Sequence, residues 1–159
     1  MPSENRVAVF GYFDYALDVG HWPMLNQTQA SYWELFDRVR NRAEQKHTIL
    51  INSPHSQWRH EDELTRIKSI LLAAGTLATG MCSVGMPQTR VLNLPVVPDR
   101  RNIIDQEEEC PIAKAHAIIE QFETARCHQR SFAVVDGYFV TPHEYQLAKR
   151  FLQQQEALS

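Results

Sequence analysis

Short apolar runs of β-forming residues alternate along this chain with longer segments of helical pattern, and this alternation limits the fold more than any other feature. Residues 6–13, 47–52 and 131–135 are mostly apolar and lack the strict alternation of a half-exposed strand. Such runs are typical of strands that are covered on both faces. Residues 80–84 and 91–97 are weaker candidates, and a proline in the second favours an edge strand or a loop.

Four segments between these runs carry apolar residues at helical spacing, namely 26–45, 61–77, 110–126 and 141–158. The last two have a proline near the start, where its missing N–H costs little. Alternating strands and helices predict the α/β class, with right-handed crossovers and a mainly parallel sheet that has helices on both faces. Ligands of such sheets bind past the carboxyl ends of the strands. The segments where we expect a site are therefore 11–22, 52–60, 84–89 and 136–141.

Length, charge and cysteine content set the remaining bounds. The 159 residues predict a single domain over residues 1–159. A net charge of −3 and a pI near 6.1 give no reason to expect a nucleic-acid partner, and no apolar run is long enough to predict a membrane span. Three cysteines without a Cys-x-x-Cys motif suit a reducing compartment, so we expect a cytoplasmic protein. Whether the protein forms a homo-oligomer stays open.

The first apolar run ends in a glycine and is followed by a Gly-His pair, in the stretch "VAVFGYFDYALDVGHWPML" of residues 7–25. Gly11 allows the backbone to approach a ligand closely, and the start of a following helix would offer free N–H groups to an anion. We expect that helix to begin after His21, which places the imidazole where it can donate to a phosphate oxygen. Without the histidine, the pattern would be an ordinary connection of an α/β protein.

The same stretch resembles the signature of the nucleotidyltransferase superfamily. In that family, a strand ending in Gly leads to a (His/Thr)-x-Gly-His element that binds the phosphates of ATP, and the spacing from Gly11 to His21 matches it without a gap. The resemblance implies a Rossmann-like fold and a catalytic role for His21 at the phosphates. It also implies nucleotide contacts for residues of this stretch, which are Gly11, Tyr12, Phe13 and Gly20.

Two further segments resemble one branch of that superfamily, the nicotinate/nicotinamide mononucleotide adenylyltransferases. "INSPHSQWRHEDELTRIKSILLAA" is similar to a strand that ends in a Pro-His loop before a helix starting Arg-Leu-x-Met, which implies a nucleotide contact for His55 and a catalytic role for Arg66. "FAVVDG" is similar to the family's strand Phe-Ile-Ile-Gly-x-Asp. Asp136 falls one residue before the aspartate position and is a candidate contact to the ribose or a metal.

The resemblance implies a reaction as well as a fold. AMP would pass from ATP to nicotinate or nicotinamide mononucleotide with release of pyrophosphate, a step of NAD biosynthesis, with Mg²⁺ accompanying ATP. In-line attack by the acceptor phosphate needs no protein nucleophile. The protein would therefore act by positioning the substrates and neutralising their charge.

Two departures from the family pattern bear on activity. Asp18 stands where the signature has its first histidine. A carboxylate repels a triphosphate unless it is protonated, paired or bridged by a metal, so Asp18 is either a ligand of Mg²⁺ or a mark of lost activity. This sequence also ends before the family's late Ser-Ser-Thr-x-x-Arg element, which holds ATP phosphates.

Two alternatives follow from these departures and from the acidic residues. The first is a non-catalytic domain of the same ancestry that senses a nucleotide or binds a protein partner. The second is a metal-dependent nuclease of the PIN-like kind, with Asp14 and Asp136 at strand ends. Such a nuclease needs three or four converging carboxylates, and the sequence offers no clear third.

Overall fold

The computed structural model describes residues 6–56, 60–74, 78–83, 85–103, 110–135 and 138–158. Strands and helices alternate over most of this length, which confirms the α/β class. In chain order the elements are β1 (Arg6–Val9), α1 (Tyr12–Val19), α2 (Ala30–Gln45), β2 (Thr48–Asn52), α3 (Glu61–Ala73), β3 (Ala78–Met81), α4 (Met86–Asn93), a 3₁₀ turn (Arg100–Asn102), α5 (Pro111–Cys127), β4 (Ala133–Val135), β5 (Tyr138–Val140) and α6 (Pro142–Leu158).

The chain divides into two compact units. The first contains Met1–Gly11 and Asn26–Gln106, and the second contains Tyr12–Leu25 and Glu107–Ser159. Each unit thus combines two separate parts of the chain. The single domain over residues 1–159 stays a prediction.

The first unit is built on a parallel sheet of order β1-β2-β3. Ala8 of β1 pairs with Leu50 of β2, which in turn pairs with Ala78 of β3. Helix α2 packs on the sheet because its aromatic residues recur at helical spacing and are all buried, as the set Tyr32, Trp33 and Phe36 shows. Phe10 extends this core, with its ring in edge contact with Phe36 at 5.9 Å between centroids.

Strand β1 differs from the prediction that both of its faces are covered. Val7 and Val9 are 61% and 54% exposed, and they share one face of the strand because side chains alternate. The opposite face is closed, since Ala8 is partly buried and Phe10, the residue after the strand, is buried. One face of β1 is therefore packed and the other is open.

The second unit combines α1, α5 and α6 with an antiparallel hairpin of β4 and β5, in which Val134 pairs with Phe139. Its core includes Ile118, Phe122 and Ala148. The Phe122 ring stacks on Tyr145 at 4.6 Å between centroids. The strand predicted at residues 131–135 is thus confirmed in part, but its placement in the parallel sheet is wrong because β4 pairs with β5 instead.

Two segments have a different secondary structure from the one expected. Residues 91–93 belong to α4 rather than to an edge strand or a loop, because Pro87 in the first turn favours a helix that continues to Asn93 and buries Val91. Residues 94–97 form a loop, which is one of the two predicted alternatives. Residues 12–19 form α1 rather than the end of a strand and a turn. Tyr12 and Ala16 lie one helical turn apart and are both buried, so packing of this face outweighs the β propensity of the aromatic residues.

Candidate functional site

Buried polar side chains gather at the carboxyl end of β2, within the first unit. The fully buried set comprises Gln27, Asn52, Ser53, His55 and Gln88. Polar groups that leave water need hydrogen-bond partners, so such a cluster forms only where the surrounding backbone and side chains supply them. This edge of a parallel sheet is also where α/β proteins bind ligands.

Asn52, the last residue of β2, is at the centre of the cluster. Its Oδ1 accepts hydrogen bonds from the hydroxyl of Tyr32 and from the backbone N–H of Ser53, the latter at 3.0 Å. Its Nδ2 donates to Oε1 of Gln27 at 3.2 Å. The Ser53 hydroxyl donates in turn to the carbonyl of Phe10, so the ends of β1 and β2 are joined by side-chain bonds.

Hydrogen bonds of Gln27 link the segment before α2 to the loop that follows β2. Its Nε2 donates to the carbonyl oxygens of Ser53 and Pro54 at 3.3 and 3.1 Å. Its own carbonyl accepts the indole N–H of Trp33 at 2.7 Å. The start of α2 is therefore held at the carboxyl edge of the sheet.

His55 and Glu63 form a charged contact at this edge. The imidazole is 1% exposed, and its Nε2 lies 3.2 Å from Oε2 of Glu63 without the alignment of a hydrogen bond. Oε1 of the same carboxylate accepts from Nδ2 of Asn26 at 3.0 Å. Burial by itself raises the pKa of Glu63, but the interactions with His55 and Asn26 outweigh it and hold this pKa below its ordinary value. Glu63 is thus an ionised carboxylate at neutral pH.

Helix α4 reaches the same loop through Gln88, whose Nε2 donates to the carbonyl oxygen of His55 at 2.8 Å. The first turns of α3 and α4 differ in charge. Acidic residues fill the first turn of α3, whereas that of α4 has none and no side-chain cap. Beside it, the hydroxyl oxygens of Ser83 and Thr89 lie 2.9 Å apart. An anion at this edge is therefore favoured at α4 and disfavoured at α3.

The Gly-His pair lies at the end of α1, so its predicted place at the entry to a helix is wrong, and the expected helix α2 begins only at Ala30. Gly20 has a φ of +68°, and the backbone N–H of His21 donates to the carbonyl of Ala16 at 2.9 Å. This is the Schellman arrangement that ends α1, and glycine permits it because it has no Cβ. His21 is exposed, with Nδ1 3.2 Å from the carbonyl oxygen of Pro23. The carboxyl end of a helix carries partial negative charge and attracts cations rather than phosphates.

Three other predicted site residues of the second unit lie on α1. Tyr12 is buried, and its hydroxyl oxygen accepts the N–H of Leu25 at 2.6 Å, so its side chain supports the local fold. Phe13 is half-buried and Asp18 is exposed. Asp136 lies outside the residues that the structure describes.

The first unit holds the remaining predicted residues. Gly11 is exposed and directly precedes α1, and Arg66 is exposed on α3. His55 lies within the buried cluster. Of the predicted residues in this unit, only His55 is thus brought into the polar cluster.

Sequence reasoning missed every residue of the cluster except His55, and it also missed the roles of Asn26 and Glu63 beside it. The missed residues are Asn26, Gln27, Asn52, Ser53, Glu63 and Gln88. A signal existed for two of these residues. Asn52 and Ser53 directly follow an apolar strand, in a segment marked as a possible site because of its position. The others come from helix starts, and nothing in their own sequence indicates that they meet the same loop.

Comparison with known proteins does not identify a family for this chain. No family model matches this chain. No curated protein matches it either. The resemblance to nucleotidyltransferases therefore rests on the residues quoted above and stays a prediction.

The described residues do not provide a ready site for a resident metal ion. Within them, no three His, Cys, Asp or Glu side chains are grouped so that they could hold one. Asp18 alone does not fit Mg²⁺, which prefers an octahedral oxygen shell with one or two carboxylates, substrate phosphates and water. A search of the same residues finds no helix that is both long and apolar enough to cross a membrane.

Proposed function

We propose that this protein binds an adenine nucleotide at the carboxyl edge of its parallel sheet, as a divergent nucleotidyltransferase-like domain of Rossmann-like ancestry. One observation carries the proposal. Side chains from the segment before α2 and from the first turns of α3 and α4 contact the loop at residues 53–55, directly after β2. This arrangement holds three helix starts at the edge where parallel sheets bind nucleotides.

Charge favours one part of this edge for the phosphates. The first turn of α4 has no acidic residue, and the hydroxyls of Ser83 and Thr89 lie beside it. Helix α3 begins instead with Glu61, Asp62 and Glu63. Phosphates would therefore bind on the α4 side, while Arg66, exposed one turn into α3, offsets the acidic residues before it.

The reaction proposed for this site is adenylyl transfer. An oxygen of the acceptor mononucleotide's phosphate attacks the α-phosphorus of ATP, and the bond from that phosphorus to the β-phosphate oxygen breaks, so that pyrophosphate leaves with the electron pair. Mg²⁺ would arrive with ATP as part of the substrate. The protein binds, orients and shields the reactants. Nicotinate or nicotinamide mononucleotide is the proposed acceptor, which assigns the protein to NAD biosynthesis in the cytoplasm.

Calorimetric titration with ATP and with NAD, each with and without Mg²⁺, tests the binding step. Arg66→Gln should weaken ATP binding about tenfold, since a charge-assisted hydrogen bond is worth roughly 1.5–3 kcal/mol. Arg38→Gln, at an exposed arginine of α2 in the same unit, is the matched control and should leave affinity unchanged. Absence of heat with either nucleotide at millimolar concentration contradicts the proposal.

Turnover needs a separate measurement. Release of pyrophosphate from ATP should require nicotinate or nicotinamide mononucleotide, and His21→Ala should abolish it if His21 has its predicted catalytic role. ATP binding without release of pyrophosphate would leave the nucleotide site intact and remove the catalytic assignment.

A non-catalytic nucleotide-sensing or protein-binding domain is the second candidate. The position of His21 favours it, because this residue follows the carboxyl end of α1, with Asp18 three residues earlier on that helix. The PIN-like nuclease has less support. Asp14 is exposed and lies 3.1 Å from His143, and within the described residues no three His, Cys, Asp or Glu side chains are grouped so that they could hold a metal ion.

A further inference from the structure

Helix α2 leaves part of the packed face of β1 uncovered, and an open groove of about 300 Å³ lies there between the helix and the strand, within the first unit. Small side chains leave this space, since Ala8 of the strand and Ala43 of the helix both line it. The apolar lining consists of Ala8, Phe10, Val39, Ala43 and Leu50. A groove of this size and character accommodates an apolar side chain.

Two exposed cations also line this groove, Arg42 in the last turn of α2 and Lys46 at the end of that helix. Neither forms an ion pair with another described residue. The carboxylates of Asp37 and Glu44, in the same half of α2, lie 3.4 and 4.0 Å from the guanidinium of Arg40 instead. No carboxylate is among the described residues that line the groove. The groove therefore favours a ligand in which negative charge lies beside an apolar group.

Strand β1 borders the groove and is the end strand of the sheet in the described part of the chain. Arg6 and Phe10 donate their backbone N–H groups to carbonyls on the β2 side. Because alternate residues of a parallel strand bond to the same neighbour, Val7 and Val9 turn their N–H and C=O groups toward the outer edge. Both of these residues are more than half exposed. An edge of this kind can pair with an extended peptide as a further strand.

We propose that this groove binds an extended peptide that adds to the edge of β1 as an antiparallel strand and carries the pattern apolar-x-acidic-x-acidic. The antiparallel direction is chosen because such pairing is slightly more stable per residue than parallel pairing. The apolar side chain fills the groove beside Phe10 and Val39, and the two acidic side chains face Arg42 and Lys46.

The pattern follows from the direction of α2 and from two spacings. Helix α2 runs opposite to β1, because Lys46 at its end lies two residues before Thr48, which pairs with Arg6 at the start of β1. Arg42 and Lys46 are four residues apart, or about 6 Å along a helix. Side chains on one face of an extended peptide repeat at about 6.6 Å. Acidic residues at alternate positions thus match the two cations, and the position two residues before them falls nearer Val39.

A second copy of β1 does not fit this description, because the strand begins with Arg6 and contains no carboxylate. Four residues also provide few backbone hydrogen bonds, so the groove and its cations have to supply much of the affinity and the selectivity. The proposal is independent of nucleotide binding. The groove shares no lining residue with the polar cluster at the carboxyl end of β2.

Titration of the ¹⁵N-labelled full chain with the acetylated and amidated peptide Thr-Ile-Thr-Glu-Thr-Glu-Thr, followed by NMR, tests the proposal. The amides of Val7 and Val9 should shift and become protected from hydrogen exchange, because they gain carbonyl partners. The double variant Arg42→Gln, Lys46→Gln should weaken binding about tenfold, since each exposed ion pair is worth a few-fold in affinity. Arg38→Gln, at an exposed arginine of α2 outside the groove, is the matched control and should bind as the parent chain does.

A peptide in which both Glu residues are replaced by Gln should lose affinity for the parent chain by the same factor, and this arm needs no variant protein. The proposal is overturned if the acidic peptide causes no shifts at millimolar concentration, or if the double variant binds it as tightly as the parent does. Shifts confined to the first turn of α4 would also overturn it. If the amides of Val7 and Val9 shift on concentrating the chain without peptide, the edge pairs with a second copy and the proposal is wrong.

Discussion

Nε2 of His55 lies 3.2 Å from Oε2 of Glu63, and the two side chains join the loop after β2 to the first turn of α3. The imidazole is buried, while the carboxylate keeps a small exposed surface and accepts a hydrogen bond from Asn26. Removing one member of a buried polar pair leaves the other without that partner. The pair therefore stabilises the folded structure around the candidate site.

Glu63→Gln should lower the free energy of unfolding by about 1–3 kcal/mol, because it removes the charge that faces His55. The lowered pKa of Glu63 also sets a pH dependence. Its stabilisation is fully present above the ordinary value of 4.5 and is lost as the pH falls through the lowered value. Urea denaturation over this acidic range measures both effects. Glu61→Gln, an exposed site on the same turn, should change neither, and equal effects for the two variants would contradict this assignment.

Asn52→Ala should destabilise the first unit strongly. The change removes the hydrogen bond that the Tyr32 hydroxyl donates to Asn52 and the one that Oε1 of Gln27 accepts from it, and the loss of a buried hydrogen bond costs about 1–3 kcal/mol. Thermal unfolding measured by circular dichroism gives the loss. Asn41→Ala, at an exposed asparagine of α2, is the control and should be neutral or slightly stabilising.

Gly20→Ala should cost about 1–2 kcal/mol through backbone strain alone. The φ of Gly20 is +68°, and a Cβ there would meet no atom within 4 Å, so crowding does not contribute. Gly20→Asn should cost less, because asparagine tolerates the left-handed region. Denaturant unfolding of the two variants provides the test, and equal costs would exclude the cap as the cause.

Asp18→His distinguishes an effect of Asp18 on the stability of α1 from an effect on nucleotide binding. Removal of a negative charge near the carboxyl end of α1 should stabilise the helix by about 0.3–1 kcal/mol. If Asp18 faces bound triphosphate, affinity for ATP should also rise about tenfold, since a repulsion is replaced by a donor. If it holds Mg²⁺, binding should weaken in Mg²⁺ and change little in EDTA. A stability gain with unchanged affinity in both conditions would place Asp18 outside the site.

Local pattern predicted the helices and strands whose periodicity is strong. Prolines at the starts of α5 and α6 and the apolar run of β2 indicated elements that the structure contains. Helix α1 could not be predicted from local pattern because its aromatic residues also suit a strand. The helix is favoured by the burial of Tyr12 and Ala16 on one face, which depends on tertiary packing. Gly20 was assigned to a phosphate turn because the same residue type serves both a helix end and a close approach to a ligand.

The candidate site was predicted less well than the fold, for a physical reason. His55 could be singled out because it follows a strand. Its partners Glu63 and Gln88 lie on different helices, and their meeting depends on how α3 and α4 pack. The acidic first turn of α3 was interpreted as a complement to the helix dipole, and one of its three carboxylates also binds a buried histidine.

The open face of β1 bears on how this protein behaves at high concentration. Val7 and Val9 face outward on a strand that lies at the end of the sheet order, and exposed edge strands can recruit further chains. The strand is only four residues long and begins with the charged Arg6. So short an edge offers few backbone hydrogen bonds to an incoming chain, and a guanidinium at its start repels a parallel, in-register copy. Growth into fibrils is thereby discouraged without covering the valines.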